Sequence, residues 1–446
     1  MIDFTLSLEQ KKLQKKARKF ALDEILPVVN YFDEMDVPPK FLLQKAHAAG
    51  LNNLGIPKEY GGHGYNLLDA SIVVEEVAAA CPAMGTSIFG NSLGQEPLIL
   101  SGNEGAKEKY LSACVREPKI VSFATSEPGM GSDVAGIRCK AEKNGEDYIL
   151  NGTKYWVTNG GYADYASIFA TVDPKLRHKG LCAFFVEMDW DGITVGEHIP
   201  KLGQRVSSTT AVHFDNVHVP AKNVIAIPGT GFLLAMKTFS STRPIIGSFA
   251  VGAARSAMEF AMDYANKRRA FTMKLSEFQA IQFKIAEMYQ KIEASRLMIW
   301  KSAWEADRGM DNTLSASITK FYTTEVAQQV LNDALQIFGG YGYTRFYPIE
   351  KLLRDIRVLT IYEGTSEVQR LVVYRYLSKM KPVMPPLDEL PRLKADNAEQ
   401  AAREGMKEQT AWRCRICGYV HYGEEPPDHC PYCFFPKTAF KKVWPK

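Results

Sequence analysis

Leu13, Ala17, Phe20 and Ala21 recur at the spacing of one helix face, and Pro27 ends that run. Ser7-Leu8-Glu9-Gln10 precedes it as a helix start. The pattern predicts a helical region over residues 1–120. Over 121–229 the apolar residues gather instead in short β-rich stretches between Gly and Asn turns. Tyr148-Ile149-Leu150, Lys154-Tyr155-Trp156-Val157-Thr158, Cys182-Ala183-Phe184-Phe185-Val186 and Ala211-Val212-His213-Phe214 are the clearest. Long helical patterns return over 230–380, among them Met258 to Arg269 and Phe278 to Arg308. The order predicts an α+β multidomain chain, with a small β-barrel or sandwich domain held between two helical ones. Pro382, Pro385, Pro386 and Pro391, followed by a polar run, mark 381–411 as a linker. The remaining stretch, 412–446, is too short to fold on a hydrophobic core alone and needs a staple.

Composition narrows the function classes. The chain has 54 Lys plus Arg against 50 Asp plus Glu, a formal charge of +4 that is too small to argue for nucleic-acid binding. No apolar run approaches the ~20 residues of a membrane span, and the first residues lack a basic-then-apolar signal. A cytoplasmic protein is expected. Of the cysteines, Cys81, Cys114, Cys139 and Cys182 stand singly and read as buried free thiols.

The other four carry chemistry. Cys414, Cys417, Cys430 and Cys433 have the spacing Cys-x2-Cys-x12-Cys-x2-Cys. Each pair presents two sulfurs from one tight turn, and two such knuckles complete a tetrahedron that suits iron or zinc. Gly418 follows the first knuckle, where a left-handed residue lets backbone N–H groups point at sulfur. Trp412-Arg413-Cys414-Arg415-Ile416-Cys417-Gly418-Tyr419-Val420 and Asp428-His429-Cys430-Pro431-Tyr432-Cys433 resemble rubredoxin-type domains, especially the short form appended to rubrerythrin. That resemblance implies one redox-active iron on all four cysteines; a zinc ribbon that docks a partner is the other reading. Phe434 departs from the pattern, standing where those domains carry Gly.

Four more segments gather hydroxyls, glycines, aromatics and one acid. Phe123-Ala124-Thr125-Ser126-Glu127-Pro128-Gly129-Met130-Gly131-Ser132-Asp133 is a polar turn offering backbone N–H groups to an anionic or carbonyl-rich ligand. Tyr155-Trp156-Val157-Thr158-Asn159-Gly160-Gly161 sets an aromatic face and a hydroxyl at a strand end. Gln336-Ile337-Phe338-Gly339-Gly340-Tyr341-Gly342 is a helix end followed by close-approach glycines. In Ile361-Tyr362-Glu363-Gly364-Thr365-Ser366-Glu367, the Glu363 carboxylate lies between an apolar run and a Gly, a setting that desolvates it and raises its basicity.

In this order and spacing the segments resemble the acyl-CoA dehydrogenase family over roughly residues 1–380, nearest the medium- and short-chain members. Asn91-Ser92-Leu93-Gly94-Gln95, Arg268-Arg269-Ala270-Phe271, Gln279 and Arg354-Asp355 add to the match. The resemblance implies a helical domain, a middle β domain and a C-terminal four-helix bundle, with FAD as cofactor and an acyl-CoA as substrate. Glu363 matches the base that removes the α-proton. Phe123, Thr125, Ser126, Gly131, Trp156 and Thr158 match residues around the flavin, with Thr365 and Glu367 after the base. Ser132 matches a contact shared with the CoA side, Gly364 lies beside the thioester, and Arg243 matches an arginine near the substrate pocket. Arg268, Phe271, Gln279, Gln336, Gly339 and Gly340 match groups that hold the adenosine diphosphate part, some from a neighbouring subunit, which implies a homotetramer. Electron-transferring flavoprotein or another redox protein is the implied acceptor. Ser126 stands for a more usual Thr, Ser240 for an acid near the CoA adenine, and Thr272 for a Gly. The same residues run in reverse would serve an enoyl-CoA reductase, and a non-catalytic scaffold is the reading from another class.

Overall fold

The structure, a computed structural model, describes residues 4–381, 384 and 410–444. The chain divides into two units at Tyr376/Leu377. Most of the linker expected over 381–411 lies outside the described residues.

The first unit opens with six helices: α1 (Leu8–Phe20), α2 (Val29–Met35), α3 (Lys40–Ala48), α4 (Leu67–Ala80), α5 (Pro82–Ile99) and α6 (Glu104–Arg116). Ser7 caps α1 reciprocally: its Oγ accepts from Gln10 N at 3.1 Å, and Gln10 Oε1 accepts from Ser7 N at 3.0 Å. Leu13, Ala17, Phe20 and Ala21 are all buried, as their spacing requires. Strands follow, β1 (Val121–Ala124), β2 (Lys140–Asn144), β3 (Asp147–Thr158), β4 (Tyr165–Thr171), β5 (Leu181–Glu187), β6 (Ile193–Val195), β7 (Thr209–Val219) and β8 (Val224–Ala226). They form one sheet in the order β6-β7-β3-β2-β4-β5-β8, with β1 parallel to β4. The stretches Tyr148–Leu150 and Lys154–Thr158 prove to be one strand, β3, which shifts register against β7 after Leu150 and again after Lys154.

Helices then return as α7 (Gly231–Lys267), α8 (Gln279–Asp307), α9 (Thr313–Phe338), α10 (Ile349–Ile356) and α11 (Ser366–Leu377). Between α7 and α8 a short hairpin, β9 (Arg269–Ala270) with β10 (Met273–Lys274), turns on Phe271 and Thr272. Both turn residues are left-handed, φ 48° and 70°, so Thr272 takes the backbone that Gly would favour. The two helical regions are not separate cores. Leu13, Val73 and Val77 join Phe249, Ala253, Ile299, Val330 and Leu331 in one apolar cluster. The sheet has its own, which includes Phe169, Phe184 and Val217 and draws in Tyr110, Leu111 and Cys114 from α6. Cys81, Cys114, Cys139 and Cys182 are buried free thiols. Among the described residues no helix is long and apolar enough to cross a membrane.

One charged pair braces the sheet. Lys154, fully buried on β3, reaches Glu127 Oε1 at 2.7 Å and the Thr125 carbonyl at 3.0 Å. Glu127 also accepts from the backbone of Arg138 at 2.8 Å and Cys139 at 2.9 Å. Removing one partner strands the other charge, so Lys154→Met is expected to lower stability by about 3–5 kcal/mol. Urea unfolding measures this; a loss below about 1 kcal/mol would show that the pair carries no such weight.

The second unit holds a three-stranded sheet, β12-β11-β13, from β11 (Ala411–Cys414), β12 (Val420–Tyr422) and β13 (Phe440–Trp444). Its described apolar cluster consists of Cys414, Cys430 and Phe440, with Trp412, Tyr419, Cys433 and Ala439 partly buried around it. Two of those three core residues are metal-type ligands, which is why this unit needs a staple.

Candidate functional site

After α10 and a short 3-10 turn at Arg357–Thr360, the chain reverses at Glu363 (φ 56°) and Gly364 (φ 85°) before α11. A left-handed glutamate is strained backbone, held only where its surroundings demand it. At Gly364 a Cβ would lie 2.3 Å from Gln369 Nε2, so a side chain here would be strained and would displace the Gln369 amide. Thr365 Oγ1 accepts from Val368 N at 3.2 Å and starts α11; Glu367 is exposed in its first turn, its carboxyl held below the usual range by backbone hydrogen bonding.

The Glu363 carboxylate accepts a hydrogen bond from Thr242 Oγ1 at 3.2 Å. Burial pushes this carboxyl up, against the opposing pull of Arg243, Thr242 and Lys320. Arg243, buried on α7, reaches Ser317 Oγ at 3.3 Å, while its Nε has no partner among the described residues. Lys320, fully buried on α9, donates to the Gly364 carbonyl at 2.7 Å, and burial pulls its ammonium down to about 7. Next to Thr242, Ser241 Oγ donates to Glu96 on α5 at 2.7 Å, and burial raises that carboxyl too. Motif reading missed Thr242, Lys320, Gln369 and Glu96. A lone Lys or Gln in a helical pattern reads as solvated face, and only the tertiary packing reveals otherwise.

The residues expected around a flavin lie on two adjoining segments. Phe123 is on β1, Thr125 and Ser126 on the loop after it, and Trp156 and Thr158 on β3. Tyr155 N donates to the Ser126 carbonyl at 2.8 Å, and Ser122 Oγ donates to the Thr158 carbonyl at 2.9 Å. Trp156 sits at the second register shift with φ 63°, and the residue is 57% exposed. An exposed flat indole beside a hydroxyl-bearing loop fits a planar ring system such as a flavin. Gly131 and Ser132 are exposed just beyond the reciprocal backbone pair of Glu127 and Met130. Ser240 bonds Met236 O and the Thr313 hydroxyl, in place of an acid.

Arg268, Phe271, Gln279, Gln336, Gly339 and Gly340 are all exposed. Arg268 follows α7, Phe271 tips the hairpin at 89% exposure, Gln279 opens α8, and Gly339 ends α9 with φ 59°. Arg268 lies over the Tyr341 ring at 6.0 Å, so the hairpin region and the Gly339–Tyr343 turn meet within one chain.

In the second unit the ligand atoms of Cys414, Cys417, Cys430 and Cys433 lie within 4.8 Å of one another. Cys414 and Cys433 are 3.6 Å apart and Cys417 and Cys430 3.5 Å. Bonds of about 2.3 Å to one tetrahedral ion give edges of about 3.8 Å, so the four donors fit a single metal. Both knuckles share a backbone. Gly418 (φ 80°) donates to the Cys414 carbonyl at 3.0 Å, and Phe434 (φ 58°) to the Cys430 carbonyl at 2.9 Å. Phe434 thus keeps the turn despite lacking the freedom of Gly, and the residue is 77% exposed.

Models of the acyl-CoA dehydrogenase N-terminal, middle and C-terminal domains match residues 7–118, 122–217 and 229–378. A rubrerythrin, rubredoxin-like domain model matches 412–441. A probable acyl-CoA dehydrogenase of Mycobacterium tuberculosis is 40% identical over 375 residues, 84% of this chain and 96% of that protein. The butyryl-CoA dehydrogenase structure from Megasphaera elsdenii superposes with a TM-score of 0.83 at 35% identity, covering 85% of this chain and 100% of that one. A structure from Acidaminococcus fermentans, described in a study of its electron transferring flavoprotein and flavin-based electron bifurcation, gives 0.83 at 34% identity with the same coverage.

Proposed function

This chain belongs to the acyl-CoA dehydrogenase family and carries a rubredoxin-like domain, and from that premise we propose that Glu363 is the base that takes the α-proton of an acyl-CoA thioester. The observation that carries the reading is the carboxylate's setting: a strained left-handed turn, burial that raises its basicity, and Arg243, Thr242 and Lys320 around it. The α-proton of a saturated thioester is weakly acidic, so the base works only if the enolate oxygen is held by N–H donors, usually the largest single contribution. Gly364 leaves the base's own turn without a side chain where the thioester approaches. FAD, when bound, supplies the acceptor for the β-hydrogen and its electrons.

Phe123, Thr125, Ser126, Gly131, Trp156, Thr158, Thr365 and Glu367 serve as flavin contacts in this reading, with Ser132 between flavin and CoA. Arg268, Phe271, Gln279, Gln336, Gly339 and Gly340 hold the adenosine diphosphate portion. Their exposure, together with that of Tyr343 and Phe346 at 86% and 83%, supports assembly with other copies of the chain. A homotetramer is expected by light scattering; an active, flavin-loaded monomer would refute it. The product is a trans-2-enoyl-CoA. A panel of acyl-CoA thioesters assayed with an artificial acceptor tests the activity and finds the chain length. Absence of turnover across the panel would contradict it.

The rubredoxin-like domain, in this proposal, holds one iron and offers the exit for electrons, to electron-transferring flavoprotein or a similar redox protein. Truncation after Lys381 should leave dehydrogenation with an artificial acceptor intact and slow delivery to the protein acceptor. Zinc in the site would instead make the domain a docking module.

A further inference from the structure

Two buried polar side chains stand against the carbonyl side of the Glu363 turn, and dehydrogenation chemistry needs neither as acid, base or ligand. Gln369 Nε2 donates to the Glu363 and Gly364 carbonyls, each at 3.1 Å, and Lys320 Nζ donates to the Gly364 carbonyl at 2.7 Å. Both residues are completely buried, Lys320 on α9 and Gln369 on α11. A buried lysine is costly unless it is paired, and a well-packed core would take an apolar residue in its place. Here its partners are the Gly364 carbonyl and, electrostatically, the Glu363 carboxylate.

We propose that Lys320 is a positioning residue for the base: from α9 it fixes the Gly364 carbonyl, holding Glu363 in its left-handed conformation, and sets a cation beside the carboxylate. The inference rests on Glu363 being the base. The charged or titratable groups facing this pair are Arg243 from α7, Glu325 from Lys320's own helix, Glu367 from α11 and Tyr362 from the turn itself, with Tyr376 of α11 acting on Arg243. Of these, Arg243 also favours ionised Glu363, so Lys320 is one of two cations acting on it. Below about pH 7, where Lys320 is protonated, its ammonium favours the ionised carboxylate, so its loss raises the pH at which Glu363 becomes able to accept a proton on the acidic limb. The bond to Gly364 acts separately, through geometry, where a displacement of about 1 Å can cost up to ~100-fold.

The test uses the FAD-loaded full chain and an acyl-CoA whose β-carbon bears no hydrogen, so that exchange of its α-protons with deuterium oxide reports proton transfer alone. Lys320→Met is expected to slow exchange at saturation about 10-fold, to leave the half-saturating concentration within about twofold, and to move the acidic limb of the pH profile up by on the order of half a unit or more. Lys320→Gln, which loses the charge but keeps a donor, should show the same limb shift with a smaller rate loss. It is read in place of Lys320→Met should that variant fail to fold by melting and FAD content. An acidic limb unmoved in a folded variant overturns the proposal, since a merely structural lysine would leave it in place. Glu363→Gln run in parallel separates the two levels of argument. If that variant still exchanges, the base assignment fails; if it is inactive while the Lys320 variants behave as wild type, only the role of Lys320 fails.

Discussion

Glu363→Gln is expected to fold, to retain FAD and to lose α-proton abstraction by ~10² to 10⁴-fold or more. The amide keeps the size of the side chain and can still meet Thr242 Oγ1, which bonds the carboxylate at 3.2 Å. It cannot accept a proton at any working pH. Wild-type activity should rise with pH as Glu363 ionises, and because burial raises its pKa, that rise falls above the ordinary carboxylate range. The glutamine variant should show no such limb. Single-turnover mixing with acyl-CoA measures both, and turnover near the wild-type rate would remove Glu363 from the mechanism.

The second large effect concerns the cysteines. Cys430→Ser should abolish metal binding and unfold the region around 410–444, while dehydrogenation with an artificial acceptor stays within about twofold of wild type. The reason is the size of the core: Cys414, Cys430 and Phe440 are its buried cluster, and two of them are ligand residues. Binding of a structural metal to such a site is worth ~10–16 kcal/mol, far more than this cluster can supply. Metal analysis, the visible charge-transfer band and limited proteolysis read the outcome together. A protease-resistant, metal-free domain would show that it folds without the staple.

Much of this was legible because the signals are local. The Leu13–Ala17–Phe20 stripe and its Ser7 cap repeat every turn, and the cysteine knuckles need only two residues between ligands. The desolvated setting of Glu363 was legible as a motif, with an apolar run before it and Gly364 after, but its left-handed bend was not. Where pairing partners are distant in sequence, the reading stopped short. Two strand stretches were one bulged β3, because the register is set by β7, more than fifty residues on. The N- and C-terminal helices share a core that helical periodicity cannot assign, since a stripe shows that a face is buried without showing against what. Lys320 and Glu96 escaped for the same reason. A charge on a helix reads as solvated until another segment is laid over it.

The most direct measurement of the central claim is anaerobic mixing of the purified, FAD-loaded chain with acyl-CoA thioesters of graded length while the flavin absorbance and the products are followed. The account predicts that the oxidised flavin band bleaches with at least one chain length, that an equivalent amount of trans-2-enoyl-CoA appears, and that Glu363→Gln shows neither. A flavin that stays oxidised with every thioester, or bleaching that proceeds equally in Glu363→Gln, would contradict it.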